Sequence, residues 1–385
     1  MLILSFAWII YDDQIREFAG NCTGGGLVIK NICEYIGRKE ESYLFIGQYQ
    51  LPQMKLGNVH IVATDSLNAS QDENISMAER HLRTMCLNFE RVLKDIKPDI
   101  VNFHGIGELM LRCMDICKKS KVPYVFTEHL YIGLNKDFEG YATHVEWEKQ
   151  LYRMPDINII TVSTGMKRKI LKDFPMISDT RIKTIINGTD FCAEYKESNI
   201  ISEYDLDNKK ILLCVGTISA RKNQTQVVRV FKLLPQALQD KIAVIFCGND
   251  SMNGGLQQQI YDSGFSDRLI YAGGISSEKM KEYYTAADGL LMPSKSEGLS
   301  IAALEAIAYG IPVVMYRDSE CADDLSDENV ICFAEERSDE DFAEALGKWF
   351  RKEWSREYII QYSGRYTMEQ MADRYIEYYE ALCTK

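Results

Sequence analysis

The chain of 385 residues is long enough for two domains with complete cores, because domains typically contain about 100 to 200 residues. Its 46% hydrophobic and 26% charged residues are typical of globular proteins, and it contains no run of about 18 apolar residues that would span a membrane. The formal net charge of -12 argues against a nucleic-acid partner, because acidic side chains outnumber the Lys and Arg that would replace phosphate counterions, although a local basic patch stays open.

Short apolar runs alternate with longer helical patterns along the first half of the chain, which indicates a parallel α/β sheet. The opening apolar run has no basic leader and ends in Tyr11, Asp12 and Asp13, so we predict a buried first strand rather than a signal peptide. The predicted strands are residues 2–10, 43–45, 59–63, 100–103, 122–127, 157–162 and 182–186. The predicted helices are residues 28–37, 77–96, 106–118, 145–154 and 164–172.

The second half repeats this alternation. Its predicted strands are residues 210–215, 242–247, 269–272, 289–292, 311–315 and 330–333, and its predicted helices are residues 224–234, 255–264, 277–286, 300–308, 339–351 and 368–382. A polar, acidic stretch over residues 187–208 interrupts the pattern and predicts the joint between two doubly wound, Rossmann-like α/β domains. Open α/β folds bind ligands at the carboxyl ends of their strands, so we expect a central cleft faced by both domains.

The cysteines predict a reducing environment. The 11 cysteines are odd in number and contain no Cys-x2-Cys pair, and several, such as Cys214 and Cys247, lie in apolar runs where a thiol behaves as a small core side chain. We therefore predict a cytoplasmic protein without structural zinc.

Residues 294–314 form the most informative segment, because a serine-rich turn is followed by an Ala-rich helical pattern, a helix stop at Gly310 and a short apolar strand. The predicted start of the helix comprises Gly298, Leu299 and Ser300. Backbone N–H groups of a first helical turn lack partners and favour a phosphate or diphosphate. Glu305 would lie about 7 to 9 Å further along the helix axis, which is about the distance from a diphosphate to the ribose of a nucleotide. Glu297 would lie beside the sugar.

These residues resemble a known family. The pattern Glu-x7-Glu from Glu297 to Glu305, followed by Ala-x-Ala-x-Gly-x-Pro-Val-Val, is similar to the signature of family 4 retaining glycosyltransferases, which have the GT-B fold. The alternative interpretation of this segment alone is an Ala-rich core helix with two incidental glutamates.

The resemblance implies transfer of a sugar, with retention at the anomeric carbon, from a nucleotide-sugar donor to a hydroxyl group of a sugar or lipid-linked acceptor. Polysaccharide or glycolipid biosynthesis is the implied setting. Residues 1–192 would bind the acceptor, residues 205–365 would bind the donor, and a terminal helix at about residues 366–385 would pack back on the first domain.

The loop after the first strand of the second domain carries two adjacent cations, Arg221 and Lys222, which suit the charge of a departing diphosphate. The resemblance implies that they hold the donor diphosphate and, with Glu297 and a histidine, form the catalytic set. Many family members have an arginine directly after the loop glycine, where this chain has Thr217. A solvated Arg-Lys pair is the alternative.

Two further loops are assigned to the donor by resemblance. The run Gly24, Gly25, Gly26 is expected as a loop that lets the backbone approach the donor phosphates, although three glycines alone more often mark a flexible loop. Backbone groups from Tyr271 to Ile275 are expected near the base.

All five histidines fall in the first domain, and two of them, His104 and His129, end predicted strands. Their positions resemble those at which family members have a histidine that faces the cleft. His129 is predicted to bind the donor sugar or to shape the face that the acceptor attacks, and His104 is predicted on the acceptor side. A structural role is the alternative for each. His60, His81 and His144 are assigned no function.

No metal or other cofactor is expected, because the two Asp-x-Asp sequences, at residues 205–207 and 339–341, do not end apolar strands. Basic residues at 167–169 and 172 flank two apolar positions, which leaves open a peripheral contact with the inner face of a membrane, although a solvated helix face is favoured. Two other functions stay open. A nucleotide-sugar epimerase would consume donor without an acceptor, and a non-catalytic sugar-nucleotide binding protein would bind donor without turnover.

Overall fold

A computed structural model describes residues 1–10, 24–48, 50–65, 75–134, 140–191 and 198–384. The chain divides into two compact units. The first contains Met1–Val162, Met166–Ile186 and Met368–Lys385, and the second contains Ser163–Gly165 and Asn187–Thr367. Each unit is a largely parallel sheet with helices, as expected from the alternating pattern of the sequence.

The first unit contains an eight-stranded sheet of order β3-β4-β2-β1-β5-β6-β7-β8. Its strands are β1 (Leu2–Ala7), β2 (Glu41–Ile46), β3 (Met54–Leu56), β4 (Val59–Ile61), β5 (Ile100–His104), β6 (Tyr124–Glu128), β7 (Ile159–Thr161) and β8 (Ile182–Thr184). The helices that follow or separate them are α1 (Gly24–Gly37), α2 (Met77–Ile96), α3 (Glu108–Ser120), α4 (Tyr141–Tyr152) and α5 (Thr164–Asp173).

Strand β1 is central, because it pairs in parallel with β2 on one side and with β5 on the other. All five residues of β5 are buried, including the polar Asn102 and His104. Ile32 and Ile36 of α1 pack with Ile3 and Ile100 in the core of this sheet. The buried sheet therefore holds the carboxyl ends of β1, β5 and β6 in fixed positions relative to one another.

The second unit contains a six-stranded, fully parallel sheet of order β11-β10-β9-β12-β13-β14. Its strands are β9 (Lys210–Val215), β10 (Ile242–Cys247), β11 (Leu269–Gly273), β12 (Gly289–Met292), β13 (Val313–Tyr316) and β14 (Ile331–Ala334). Its helices are α6 (Ile200–Glu203), α7 (Thr225–Leu233), α8 (Gln236–Gln239), α9 (Gly255–Ser263), α10 (Ser277–Ala286), α11 (Ile301–Ala308), α12 (Asp339–Arg351) and α13 (Arg356–Ser363).

The last helix, α14 (Met368–Cys383), belongs to the first unit, where Met371, Tyr375 and Tyr379 pack in the core of the sheet. Asn102 of β5 donates a 2.6 Å hydrogen bond to the hydroxyl of Tyr379. The chain thus returns to its first sheet after completing the second.

The sequence pattern missed four elements: strand β3 and helices α6, α8 and α13, of which α6 and α8 have only four residues each. Strand β3 has three residues and is the one antiparallel strand among the described pairs of its sheet, so it is too short to show a period. Helix α13 has only two buried residues, Ile359 and Tyr362, and depends on the N-cap of Ser355 for its start. No helix in the described ranges is both long and apolar enough to cross a lipid bilayer.

Candidate active site

The order of the second sheet brings two loops together that are distant in sequence. Strands β9 and β12 are neighbours, yet the chain runs from β9 to β10 on one side and from β12 to β13 on the other. At such a switch point the chain continues from the two neighbouring strands in opposite directions, which leaves a crevice at the carboxyl ends of the strands. The two loops also touch, because the N–H of Lys295 donates a 2.9 Å hydrogen bond to the carbonyl of Arg221.

Three charged side chains meet at this switch point. Lys222 Nζ lies 2.6 Å from Glu297 Oε2, and Arg221 Nη1 lies 3.2 Å from the same oxygen. Burial raises the pKa of Glu297, but the charges of Lys222 and Arg221 outweigh it and hold that pKa below its usual value. The cluster therefore carries two positive charges against one negative charge, and can accept an anion such as a diphosphate.

The loop that carries the cations is fixed from beneath by a buried amide. Gln224 Oε1 accepts from the N–H of Ser219 (3.2 Å), and its Nε2 donates to the carbonyls of Gly216 (3.1 Å) and Thr217 (3.0 Å). At Gly248, with φ of +156°, an added Cβ would lie 2.1 Å from the carbonyl oxygen of Gly216, so only glycine allows the loops after β9 and β10 to approach this closely.

The helix after Glu297 begins later than the sequence indicated. Helix α11 starts at Ile301, and Ser300 is its N-cap, with an extended backbone and a hydroxyl that accepts from the N–H of Ala303 (3.4 Å). The prediction that Gly298–Ser300 form the first turn is therefore wrong, because a serine that caps a helix stands outside it. Gly298 and Leu299 are buried residues of the preceding loop.

Glu305 lies in the second turn of α11, where Tyr284 donates a 2.7 Å hydrogen bond to its Oε2. Burial raises the pKa of Glu305 to about 7, the hydrogen bond from Tyr284 opposes this rise, and the charge of Asp190 adds to it. Hydroxyl groups of a ligand that donate to Glu305 would favour its ionised form.

Glu320, which is 3% exposed, was not singled out in the sequence analysis. Its Oε2 accepts a 2.9 Å hydrogen bond from the backbone N–H of Glu297 and so fixes the residue that faces the two cations. Glu320 follows β13 in an irregular segment, so only the folded chain reveals the contact.

The loop after β11 lies along the same edge of the second sheet. The hydroxyl of Tyr271 donates a 3.0 Å hydrogen bond to the carbonyl of Gly248, and Ile275 is half-buried just beyond the strand. Tyr271, near the end of β11, thus ties this strand to the glycine loop after β10.

In the first unit the glycine run is helical. Gly24, Gly25 and Gly26 form the first turn of α1, so the expectation of a glycine loop followed by a helix from residue 28 is wrong. Glycine is tolerated in the first turn because the N–H groups there form no hydrogen bonds within the helix. The packing of Ile29 and Ile32 stabilises the rest of α1. Residues 11–23, which precede this helix, lie outside the described residues.

The two singled-out histidines are in contact. His104 ends β5, His129 directly follows the neighbouring β6, and His104 Nδ1 lies 3.0 Å from His129 Nε2. Burial lowers the pKa of His129 to about 4, and burial together with His129 lowers the pKa of His104 well below its ordinary value. Both rings are therefore neutral near pH 7.

A pair of buried carboxylates, also missed from the sequence, holds the turn after the second histidine. Glu148 accepts from the N–H groups of Ile132 (2.6 Å) and Gly133 (2.9 Å), and Glu128 accepts from the hydroxyl of Tyr152. Burial raises the pKa of both acids, that of Glu148 to about 7.

The Asp-x-Asp sequence at residues 339–341, which was considered as a metal site, makes other contacts, because Asp341 accepts a 2.9 Å hydrogen bond from the N–H of Glu336. Asp339 pairs with Arg229 at 2.7 Å, at the start of α12. Within the described ranges, no three His, Cys, Asp or Glu side chains converge as metal ligands would. The absence of a metal requirement stays a prediction.

Comparison with known proteins places both halves of the chain in related families. Residues 196–365 match the family described as Glycosyl transferases group 1, and residues 53–191 match Glycosyltransferase Family 4. The α-monoglucosyldiacylglycerol synthase of Streptococcus pneumoniae is 24% identical over 58% of this chain and 53% of its own length. The chain spans about half the length of the first curated relatives it matches.

Two solved structures resemble the whole fold. Sucrose-phosphate synthase from Thermosynechococcus elongatus has a TM-score of 0.75 at 15% identity and covers 99% of both chains. Anabaena HepE in complex with UDP-glucose has a TM-score of 0.72 at 13% identity, over 98% of this chain and 99% of its own. The fold is therefore that of the GT-B glycosyltransferases.

Proposed function

We propose that this chain, which belongs to the group 1 and family 4 glycosyltransferases, transfers a sugar from a nucleotide-sugar donor to a hydroxyl group of a sugar or lipid-linked acceptor. The observation that carries the proposal is the contact of Lys222 and Arg221 with Glu297 at the switch point of the second sheet. A GT-B neighbour, HepE, was solved with UDP-glucose, which supports a nucleotide sugar as the donor class.

In this proposal the two cations bind the diphosphate of the donor. A diphosphate brings at least two negative charges, and Lys222 and Arg221 offer two positive charges in a site that is largely buried, where charge-assisted hydrogen bonds are strong. As the bond from the anomeric carbon to the diphosphate breaks, negative charge accumulates on the departing oxygen, and the cations stabilise it. This chain has Thr217 where many family members have an arginine directly after the loop glycine. Arg221 contacts Glu297 as Lys222 does, so it supplies the second cation of this loop.

The nucleoside is assigned to the neighbouring residues. Glu305 would accept hydrogen bonds from the ribose hydroxyls, with Tyr284 fixing the position of its carboxylate. Backbone groups between Tyr271 and Ile275 are proposed to contact the base. Glu297 is proposed to lie beside the sugar, its charge balanced by the cations and its backbone held by Glu320.

The acceptor is assigned to the first unit. We propose that His129 binds the donor sugar or shapes the face that the acceptor attacks, with His104 behind it. Retention at the anomeric carbon, a cytoplasmic location and a role in polysaccharide or glycolipid synthesis belong to the same proposal, with peripheral contact at the inner face of a membrane as the alternative to the favoured solvated helix face at residues 167–172. No metal is assigned a role, so transfer should persist in EDTA.

A panel of nucleotide sugars tests the proposal. Uridine, guanosine and adenosine diphosphate sugars are screened by thermal shift, because a ligand that binds the native state raises its melting temperature. The donor that binds is then incubated with glycan and glycolipid acceptors, and release of nucleoside diphosphate is measured with and without acceptor. Acceptor-dependent release supports the proposal. Donor consumption that no acceptor stimulates, or binding without turnover on any acceptor, would contradict it.

A further inference from the structure

We infer that His104 is a positioning residue that donates its Nδ1 proton to His129 Nε2 and thereby fixes His129 as the tautomer that carries its own proton on Nδ1. The consequence for donor binding rests on the proposed function, but the tautomer itself does not. His129 would then offer a ligand an N–H donor, not a basic nitrogen.

The contact between the rings requires a single shared proton. The ring centroids are 5.3 Å apart with an interplanar angle of 24°, and His104 Nδ1 lies 3.0 Å from His129 Nε2. Each neutral imidazole carries one proton on one of its two nitrogens. One ring must therefore donate through this contact while the other accepts, so the tautomers of the two rings are linked.

The surroundings of His104 select the direction. His104 is 1% exposed, and its Nε2 has no hydrogen-bond partner among the described residues. If His129 donated to His104 Nδ1, the proton of His104 would sit on Nε2 as a buried N–H without an acceptor, which is the rarer kind of unsatisfied group in folded proteins. If His104 donates, its Nε2 is left as an unpaired acceptor and no buried N–H is orphaned.

The strand geometry makes this arrangement rigid. Strands β5 and β6 pair in parallel with His104 opposite Thr127, so His129 lies two residues beyond the partner of His104, just past the end of β6. Beyond it, the Glu148 carboxylate holds the N–H groups of Ile132 and Gly133. His129 itself is only half-buried, so its Nδ1 is the ring nitrogen left for a ligand.

The chemical consequence is a restriction on the role of His129. A neutral ring with Nε2 engaged by His104 and a proton on Nδ1 can donate to a sugar hydroxyl oxygen, but it cannot take a proton from the acceptor at that nitrogen. His129 therefore serves as a hydrogen-bond donor to sugar, and deprotonation of the acceptor falls to another group.

The test is the tautomer, read by two-bond 1H–15N correlation spectra of the whole protein labelled with 15N-histidine at pH 7.5. We expect His129 to show a protonated Nδ1 and an unprotonated Nε2. His104→Leu removes the donor, and His129 should then shift towards Nε2–H. His104→Asn places an amide N–H near the position of Nδ1 and should restore the wild-type pattern. A wild-type His129 with Nε2–H, or spectra of His129 unchanged in His104→Leu, would overturn the inference.

An activity measurement accompanies the spectra. With the donor found by the panel, His104→Leu should lower kcat/KM about tenfold, the effect of one lost oriented hydrogen bond, while the affinity for the nucleoside diphosphate without sugar stays unchanged. His104→Asn should recover most of this loss. His60→Asn is the control, because His60 stacks on Tyr43 in another part of the sheet. Failure of the proposed function would appear as no turnover by the unmodified protein, whereas the spectra decide the tautomer independently.

Discussion

Glu305→Gln should make the protein more stable and its nucleotide binding weaker. The carboxylate is held where burial raises its pKa from 4.5 to about 7, while Tyr284 donates the hydrogen bond that an amide oxygen could equally accept. The substitution keeps the shape and the contact with Tyr284, removes the charge and replaces the other carboxylate oxygen by an NH2 group.

The magnitude follows from linkage between protonation and folding. A pKa raised from 4.5 to about 7 corresponds to about 3 kcal/mol of unfavourable free energy once the group is ionised in both states. Part of the side chain is accessible to solvent, so we discount this to about 1 to 3 kcal/mol. The stability that the neutral acid provides is complete below pH 4.5 and is lost as pH rises through 7, so the gain from glutamine should grow across that window.

The assay is urea unfolding of the wild type and Glu305→Gln at pH 5, 6, 7 and 8, followed by circular dichroism and tryptophan fluorescence. Glu344→Gln is the control, because Glu344 is an exposed partner of Lys348 in the same unit and should change stability by less than about 0.5 kcal/mol. In parallel, affinity for the nucleoside diphosphate of the active donor should fall about tenfold in Glu305→Gln. A gain that is equal at every pH, or no gain at pH 8, would refute the reasoning.

Three further substitutions test the site in the second unit. Glu297→Gln should abolish sugar transfer but leave nucleoside diphosphate binding equal or tighter by calorimetry, because it frees two cations; full transfer activity would remove Glu297 from the site. Lys222→Ala should weaken diphosphate binding about tenfold to a hundredfold, the effect of one charge-assisted hydrogen bond, whereas the exposed Lys232→Ala should not, and equal affinities would contradict the assignment. Gly248→Ala should lower the unfolding free energy by at least about 2 kcal/mol in urea, because its Cβ would meet a carbonyl oxygen 2.1 Å away, and wild-type stability would show that the loops separate without cost.

The periodic pattern of the sequence predicted most of the architecture. Strands β9, β10 and β12 and helices α2 and α10 have the predicted bounds, because each is a clear apolar run or amphipathic stretch between polar turns. The two misplaced helix starts have different causes, one local and one from packing. Ser300 caps α11 from outside, and the glycines before residue 28 are held in α1 by packing that no local propensity reports.

The candidate site was only partly accessible from the sequence. Adjacent cations at a strand-to-helix loop, and glutamates eight residues apart, identified Lys222, Glu297 and Glu305 by residue type and position. Nothing local pointed to Glu320 or Tyr284, since each contacts the site through a hydrogen bond to a residue about 20 positions away in the chain.

By itself, then, the sequence determined which segments are strands and helices and which loops carry the charged residues, because hydrophobic periodicity and turn chemistry are local properties. Only the tertiary structure decided which of those loops are neighbours. The pairing of β9 with β12 brings Lys222 to Glu297, and the pairing of β5 with β6 brings His104 to His129. Such contacts, and the shifted pKa values that follow from them, arise from strand order and burial, which depend on the packing of the whole sheet.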